Sequence, residues 1–104
     1  MATEERNYWK QGASFEATCT IPVSPSLPNL VGVTIASSVR CIDNEVYDLD
    51  VVIPDTSKGV FTVSLIDTTA WAIGIAEWDI KLVKAGKVMY TDTIELDVER
   101  RVTP

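Results

Sequence analysis

Residues able to do chemistry are few and scattered in this chain. It contains no histidine, the usual general base near neutral pH, and its serines and threonines have no evident basic partner. Cys19 and Cys41 cannot complete a structural zinc site by themselves. By strand parity Cys19 falls with Phe15, Ala17 and Ile21, and Cys41 with Ile35 and Val39. Both thiols are therefore expected to face inward as reduced core residues, a disulfide across the core being the alternative. The run Asp43, Asn44, Glu45, Asp48 and Asp50 offers the oxygen donors that calcium takes. Asp48 and Asp50, however, alternate with Tyr47 and Leu49, which reads as a solvated acidic edge that discourages strand pairing. Tyr8, Trp9, Trp71 and Tyr90 could form a stacking platform for sugar, in competition with the need for large aromatics in a small core. No strand, glycine-rich loop and helix follow one another to cradle phosphate. These residues lead to no cofactor, no metal and no enzyme.

The elements that must position them are strands. From Glu77 to Glu99, Trp78, Ile80 and Leu82 alternate with charged residues, Ala85-Gly86 interrupts, and Ile94, Leu96 and Val98 alternate again. A period of two on both sides of a glycine turn predicts a half-buried β-hairpin, which needs further strands to cover its apolar face. Strict alternation would put Asp92 on the side of Val88, Tyr90 and Ile94, so a β-bulge or a switch between sheets is expected near Thr91-Asp92.

Upstream, Ser14–Ile21 predicts a strand with Phe15, Ala17, Cys19 and Ile21 on one face. Pro22, Pro25 and Pro28 then force a loop or crossover, because proline removes ladder donors. Val33–Arg40 predicts the next strand. Asp43-Asn44-Glu45 predicts a turn, and Val46–Ile53 a strand carrying Tyr47, Leu49, Val51 and Ile53 on one face. After the turn formers Pro54–Gly59, Val60–Ile66 predicts a strand with Phe61, Val63 and Leu65 inward. Asp67 is placed to cap a single helical or 3₁₀ turn. About seven short strands separated by turn signals predict an all-β fold, an antiparallel sandwich. Residues 1–12 read as an N-terminal arm or first strand, and 13–104 as a single β-sandwich domain.

At 104 residues one core is expected. The net charge of −6 repels polyphosphate and anionic lipid, so neither nucleic acid nor a membrane is an expected partner. The opening MATEERNYWKQG lacks the basic and apolar regions of a secretion signal, and synthesis in the cytoplasm is expected.

A set of turn and core positions also carries a resemblance. Trp9-x-Gln11-Gly12-x-x-Phe15 precedes the first confident strand, and Leu30-x-Gly32 precedes one ending in Val39-Arg40. Gly59-x-Phe61-x-x-x-Leu65 leads to Trp78-Asp79-Ile80, and Gly86-Lys87-Val88 to Ile94-x-Leu96-x-Val98 and a closing Val102-Thr103. Together these resemble the small immunoglobulin-like β-sandwich structural proteins of tailed bacteriophages and prophages, from the tail, baseplate or head–tail connector region. The resemblance implies a non-enzymatic virion protein made in the bacterial host cytoplasm. It would act as an assembly or adaptor module toward other virion proteins and itself, as a homo-oligomer. None of the matched positions is a catalytic or ligand-binding motif. The expected contact surface is the arm, the proline loop and the exposed sheet edges, with Tyr8, Trp9, Pro22, Pro25 and Pro28 as candidate interface residues. The alternative is a carbohydrate- or surface-binding module of a host-recognition apparatus.

Overall fold

Alternating apolar and polar residues build two sheets that close over one core. The computed structural model describes residues 7–21, 25 and 27–103. The strands among them are β1 (Asn7–Lys10), β2 (Phe15–Thr20), β3 (Val33–Arg40), β4 (Val46–Asp48), β5 (Asp50–Val52), β6 (Val60–Leu65), β7 (Gly74–Lys84), β8 (Lys87–Tyr90) and β9 (Ile94–Glu99). The larger sheet is ordered β1-β9-β7-β3-β4, with β8 pairing the far half of β7, and the smaller β2-β6-β5. This is the strand order of an immunoglobulin-like sandwich, the all-β class that the alternation predicts.

Two details differ from the sequence reading. The pairing is not wholly antiparallel, because β1 lies parallel to β9 with Trp9 opposite Val98. Nine strands replace about seven, because two predicted runs are each broken once. Val46–Ile53 is not one strand: β4 pairs β3 in the larger sheet, and β5 pairs β6 in the smaller. The chain changes sheets at the buried Leu49, whose N–H still donates to Ser37 O at 2.8 Å. Parity does not detect this crossing, since Tyr47, Leu49, Val51 and Ile53 face the same core from either sheet.

The second break is a bulge. Lys81 faces Tyr90 whereas Trp78 faces Ile94, so three steps along β7 match four on the opposing chain. Thr91 fills the gap: its N–H donates to Ile80 O at 2.9 Å and its Oγ1 accepts from Ile80 N–H at 3.0 Å. The extra residue leaves Asp92 exposed and puts Tyr90 and Ile94 on opposite faces of the sheet. The β7–β8 turn needs two positive φ values, 51° at Ala85 and 80° at Gly86, which is the twist a two-residue hairpin favours.

Phe15 lies at the centre of the core. Its ring packs at 4.9 Å from Trp9, 5.6 Å from Trp71 and 5.3 Å from Trp78, each pair adding about 0.5–1.5 kcal/mol beyond area burial. One end of the sandwich is closed by Leu27 and Leu30 from the β2–β3 connection, Leu30 N–H donating to Thr56 O at 2.8 Å. That proline-bearing loop therefore contributes to the core as well as crossing between sheets.

Two aspartates fold their turns by the same device. Asp55 Oδ1 accepts from the Ser57 hydroxyl (2.6 Å) and N–H (2.9 Å), and Asp67 Oδ1 from the Thr69 hydroxyl (2.6 Å) and N–H (2.9 Å). Asp67 opens a single turn and no helix: its side chain closes an Asx turn, and Trp71 N–H then donates to Thr68 O at 3.0 Å, the i to i+3 bond of one 3₁₀-type turn. The hydroxyl bonds hold both carboxyls below their ordinary value of 3.8. Because the folded pKa is depressed, this stabilisation is present above the unfolded value and lost as pH falls through 3.8 toward the folded one. The urea midpoint is expected to drop between pH 5 and pH 3, with a shallower drop in the Asp55→Asn/Asp67→Asn variant. Equal acid sensitivity in the two proteins would show that these turns contribute nothing.

Candidate functional site

The edge of the sandwich where β1 faces β2 does not close. Asn7, Tyr8 and Trp9 on β1, Phe15, Glu16 and Ala17 on β2, Trp78 on β7, and Ile94 and Leu96 on β9 surround an open cleft of about 510 Å³. Its floor is aromatic because Phe15 and Trp78 meet edge to face beneath it. Ala17 on β2 is small and half-buried, which keeps the wall low. Among the described residues β2 pairs only with β6, so its other edge runs along the cleft.

Beside the pairing of β1 with β9, a clasp joins the β1–β2 turn to the β6–β7 loop, residues 66–73. Gln11 Nε2 donates to Trp71 O at 2.6 Å. Gly12 N–H donates to Thr68 Oγ1 at 2.9 Å, and that hydroxyl donates to Ala13 O at 2.7 Å. Trp9 Nε1 donates to the same carbonyl at 3.1 Å, and the Ser14 hydroxyl to Ile66 O at 2.7 Å. Gly12 has φ +92°, and a β-carbon there would run into the Arg101 guanidinium and approach the Thr69 methyl. The Trp-x-Gln-Gly opening is thus a folding device: Gln11 and Gly12 tie the turn to a loop 56–60 positions away, while Trp9 closes the turn locally on Ala13 O. Gln11 and Thr68 were not legible as members of a site, because nothing in the local sequence pairs them.

The predicted contact residues are not gathered on one surface. Tyr8, 58% exposed, and Trp9, half-buried against Phe15, both border the cleft. Pro25 and Pro28 are exposed on the β2–β3 connection, and Pro22 lies outside the described residues.

Compared with known protein families and with curated proteins, the chain matches none.

The four rings named as a platform for sugar are not exposed together. Trp71 has no exposed surface, and Trp9 meets Phe15 at an interplanar angle of 67°, leaving only Tyr8 and Tyr90 of the four as exposed rings. The acidic run disperses as well: Asp43 Oδ1 accepts from Glu45 N–H at 3.1 Å and Asp48 Oδ1 from the Ser38 hydroxyl at 2.8 Å. Among the described residues no three His, Cys, Asp or Glu side chains gather closely enough to hold a metal ion.

Both cysteines are free, Cys41 buried and Cys19 half-buried. Burial pushes both thiols above their ordinary range, so neither is poised as a nucleophile near neutral pH. A smaller basin of about 160 Å³ lies on the outer face of the larger sheet, lined by Ser38, Arg40, Val46, Glu77, Asp79 and Thr93. Among the described residues no helix is long and apolar enough to cross a membrane.

Proposed function

We propose that this chain is a non-enzymatic structural module of a tailed-bacteriophage or prophage virion. In this reading it binds neighbouring virion proteins and copies of itself through protein–protein contacts. The observation that carries the reading is the lateral cleft: an aromatic floor of Trp9, Phe15 and Trp78 opens beside the unpaired edge of β2. An apolar groove bordered by a free strand edge suits an extended segment of a partner, whose backbone adds to the edge while alternate side chains enter the groove. The resemblance of the turn and core positions to immunoglobulin-like virion proteins supplies the setting.

The test begins with the particle. The chain is expected as a stoichiometric component of virions purified after phage growth or prophage induction, detected by mass spectrometry; repeated absence from purified particles overturns the reading. Its site is tested by Ile94→Lys, which puts a charge into the cleft at a residue already 39% exposed. This variant is expected to keep the wild-type melting temperature within a few degrees and to bind its purified virion neighbour at least tenfold more weakly. Unchanged binding removes the cleft from the contact.

A further inference from the structure

Among the described residues the larger sheet leaves β1, β4 and β8 as edge strands, and β8 and β4 are opposite in charge. β8 pairs only β7 among the described residues, and all its residues are exposed, Val88 at 51% and Tyr90 at 64%. Around it stand Lys81, register partner of Tyr90, and Lys84 and Lys87, directly opposite each other across the Ala85-Gly86 turn. Like charges directly opposed in a ladder destabilise it. Among the described residues neither Lys84 nor Lys87 has a carboxylate within ion-pair distance, the ion pair there being Lys10 with Glu99 at 3.7 Å.

At the other edge, β4 pairs only β3 among the described residues, with Val46 50% exposed. Asp43, Glu45 and Asp48 follow this edge, with Asp50 just past it at the start of β5, all exposed, and Arg40 opposite Val46 is the cation beside them.

We propose that β8 of one copy docks along β4 of the next, so that copies of this chain join edge to edge into a continued sheet. The proposal rests on the assembly-module reading and names the partner of one surface, a second copy. Charge selects it. Pairing β4 with β4 sets carboxylates against carboxylates, and β8 with β8 sets lysines against lysines, whereas β8 with β4 relieves both. The same charges that keep each edge from pairing with itself thus give the contact a direction. Such an interface is heterologous: it closes into a ring when the rotation per copy divides a full turn, and otherwise extends as a filament. Because both strands are short, the contact is weak singly and depends on electrostatics that salt screens over about 8 Å at physiological ionic strength.

The experiment is sedimentation velocity on the full chain at low and high salt. Wild type is expected to form species beyond the dimer at high concentration in 50 mM salt and to weaken at least tenfold in 500 mM. Lys84→Glu/Lys87→Glu and Glu45→Lys/Asp48→Lys are each expected to be folded by circular dichroism and monomeric. An equimolar mixture of the two variants is expected to assemble again, since every β8–β4 contact between unlike variants is complementary. Variants that stay assembled, or a mixture that stays monomeric, overturn the edge pairing and leave the virion reading to stand on the cleft. Wild type that is monomeric throughout also overturns the edge pairing, and the particle-composition experiment then decides the virion reading separately.

Discussion

Trp71→Ala is expected to cost about 3–5 kcal/mol, the largest loss of any single truncation considered for this domain. Trp71 has no exposed surface, and its ring packs on Phe15, which also carries Trp9 and Trp78. Removing it opens a void that this aromatic cluster can refill only by moving the rings that floor the cleft. A domain of this size has about 5–15 kcal/mol in total, so the variant falls to the margin of folding. At roughly 4–8 °C per kcal/mol, the melting point drops by about 12 °C or more. Trp71→Phe separates the causes. The indole Nε1 is buried with no hydrogen-bond partner in the described protein, and an orphaned donor costs about 1–3 kcal/mol. Phenylalanine removes that donor and keeps most of the ring, so it should lose no more than half as much as alanine in urea denaturation. Equal losses would show that ring packing is not what Trp71 supplies.

The contrast between Trp71 and Trp78 shows how far the sequence could be read. Trp78 sits in a strict alternation with Ile80 and Leu82, so its burial follows from period two alone, and its Nε1 meets the Ser37 hydroxyl at 2.7 Å. Trp71 lies in a loop with no period, so its place in the core followed from a small domain's need for large aromatics and not from spacing. The strands of the smaller sheet were legible for the same reason as Trp78: Phe15, Phe61 and Val63 alternate with polar residues. Asp92 was legible as a misfit, which the bulge at Thr91 explains.

The crossing at Leu49 was hidden, because both sheets present their apolar side to one core and parity runs on unbroken through the change. Leu27 and Leu30 were hidden by the prolines around them, which mark a loop but say nothing about whether it folds inward. The cleft was half legible: Tyr8 and Trp9 marked the N-terminal strand, but the parallel pairing that brings Trp9 beside Phe15 joins the two ends of the chain. No local pattern records a contact of that separation.

The clasp gives the second large effect. Thr68 is fully buried, and its hydroxyl both accepts from Gly12 N–H and donates to Ala13 O. Thr68→Val keeps the shape and removes the hydroxyl. The two partners are not left equally: Ala13 O retains the Trp9 Nε1 donor, whereas the described structure gives Gly12 N–H no second acceptor. The penalty therefore falls mainly on one half-buried amide, and the expected loss is about 1–3 kcal/mol. Thr68→Ser keeps both bonds and loses only a methyl, about 0.8 kcal/mol. The order Val worse than Ser is the decisive reading, because a packing role alone would reverse it. Hydrogen exchange supplies a local check: the Gly12 amide should exchange faster in Thr68→Val than in Thr68→Ser. If the clasp is what holds β1 against β9, the β1 amides facing β9 should follow, while those of β3 and β6 stay protected. Since β1 forms one wall of the cleft, the same variant should also weaken partner binding there, although Thr68 itself does not line it. Slowed or unchanged exchange at Gly12 would detach the turn from the loop and leave β1 held by its pairing with β9 alone.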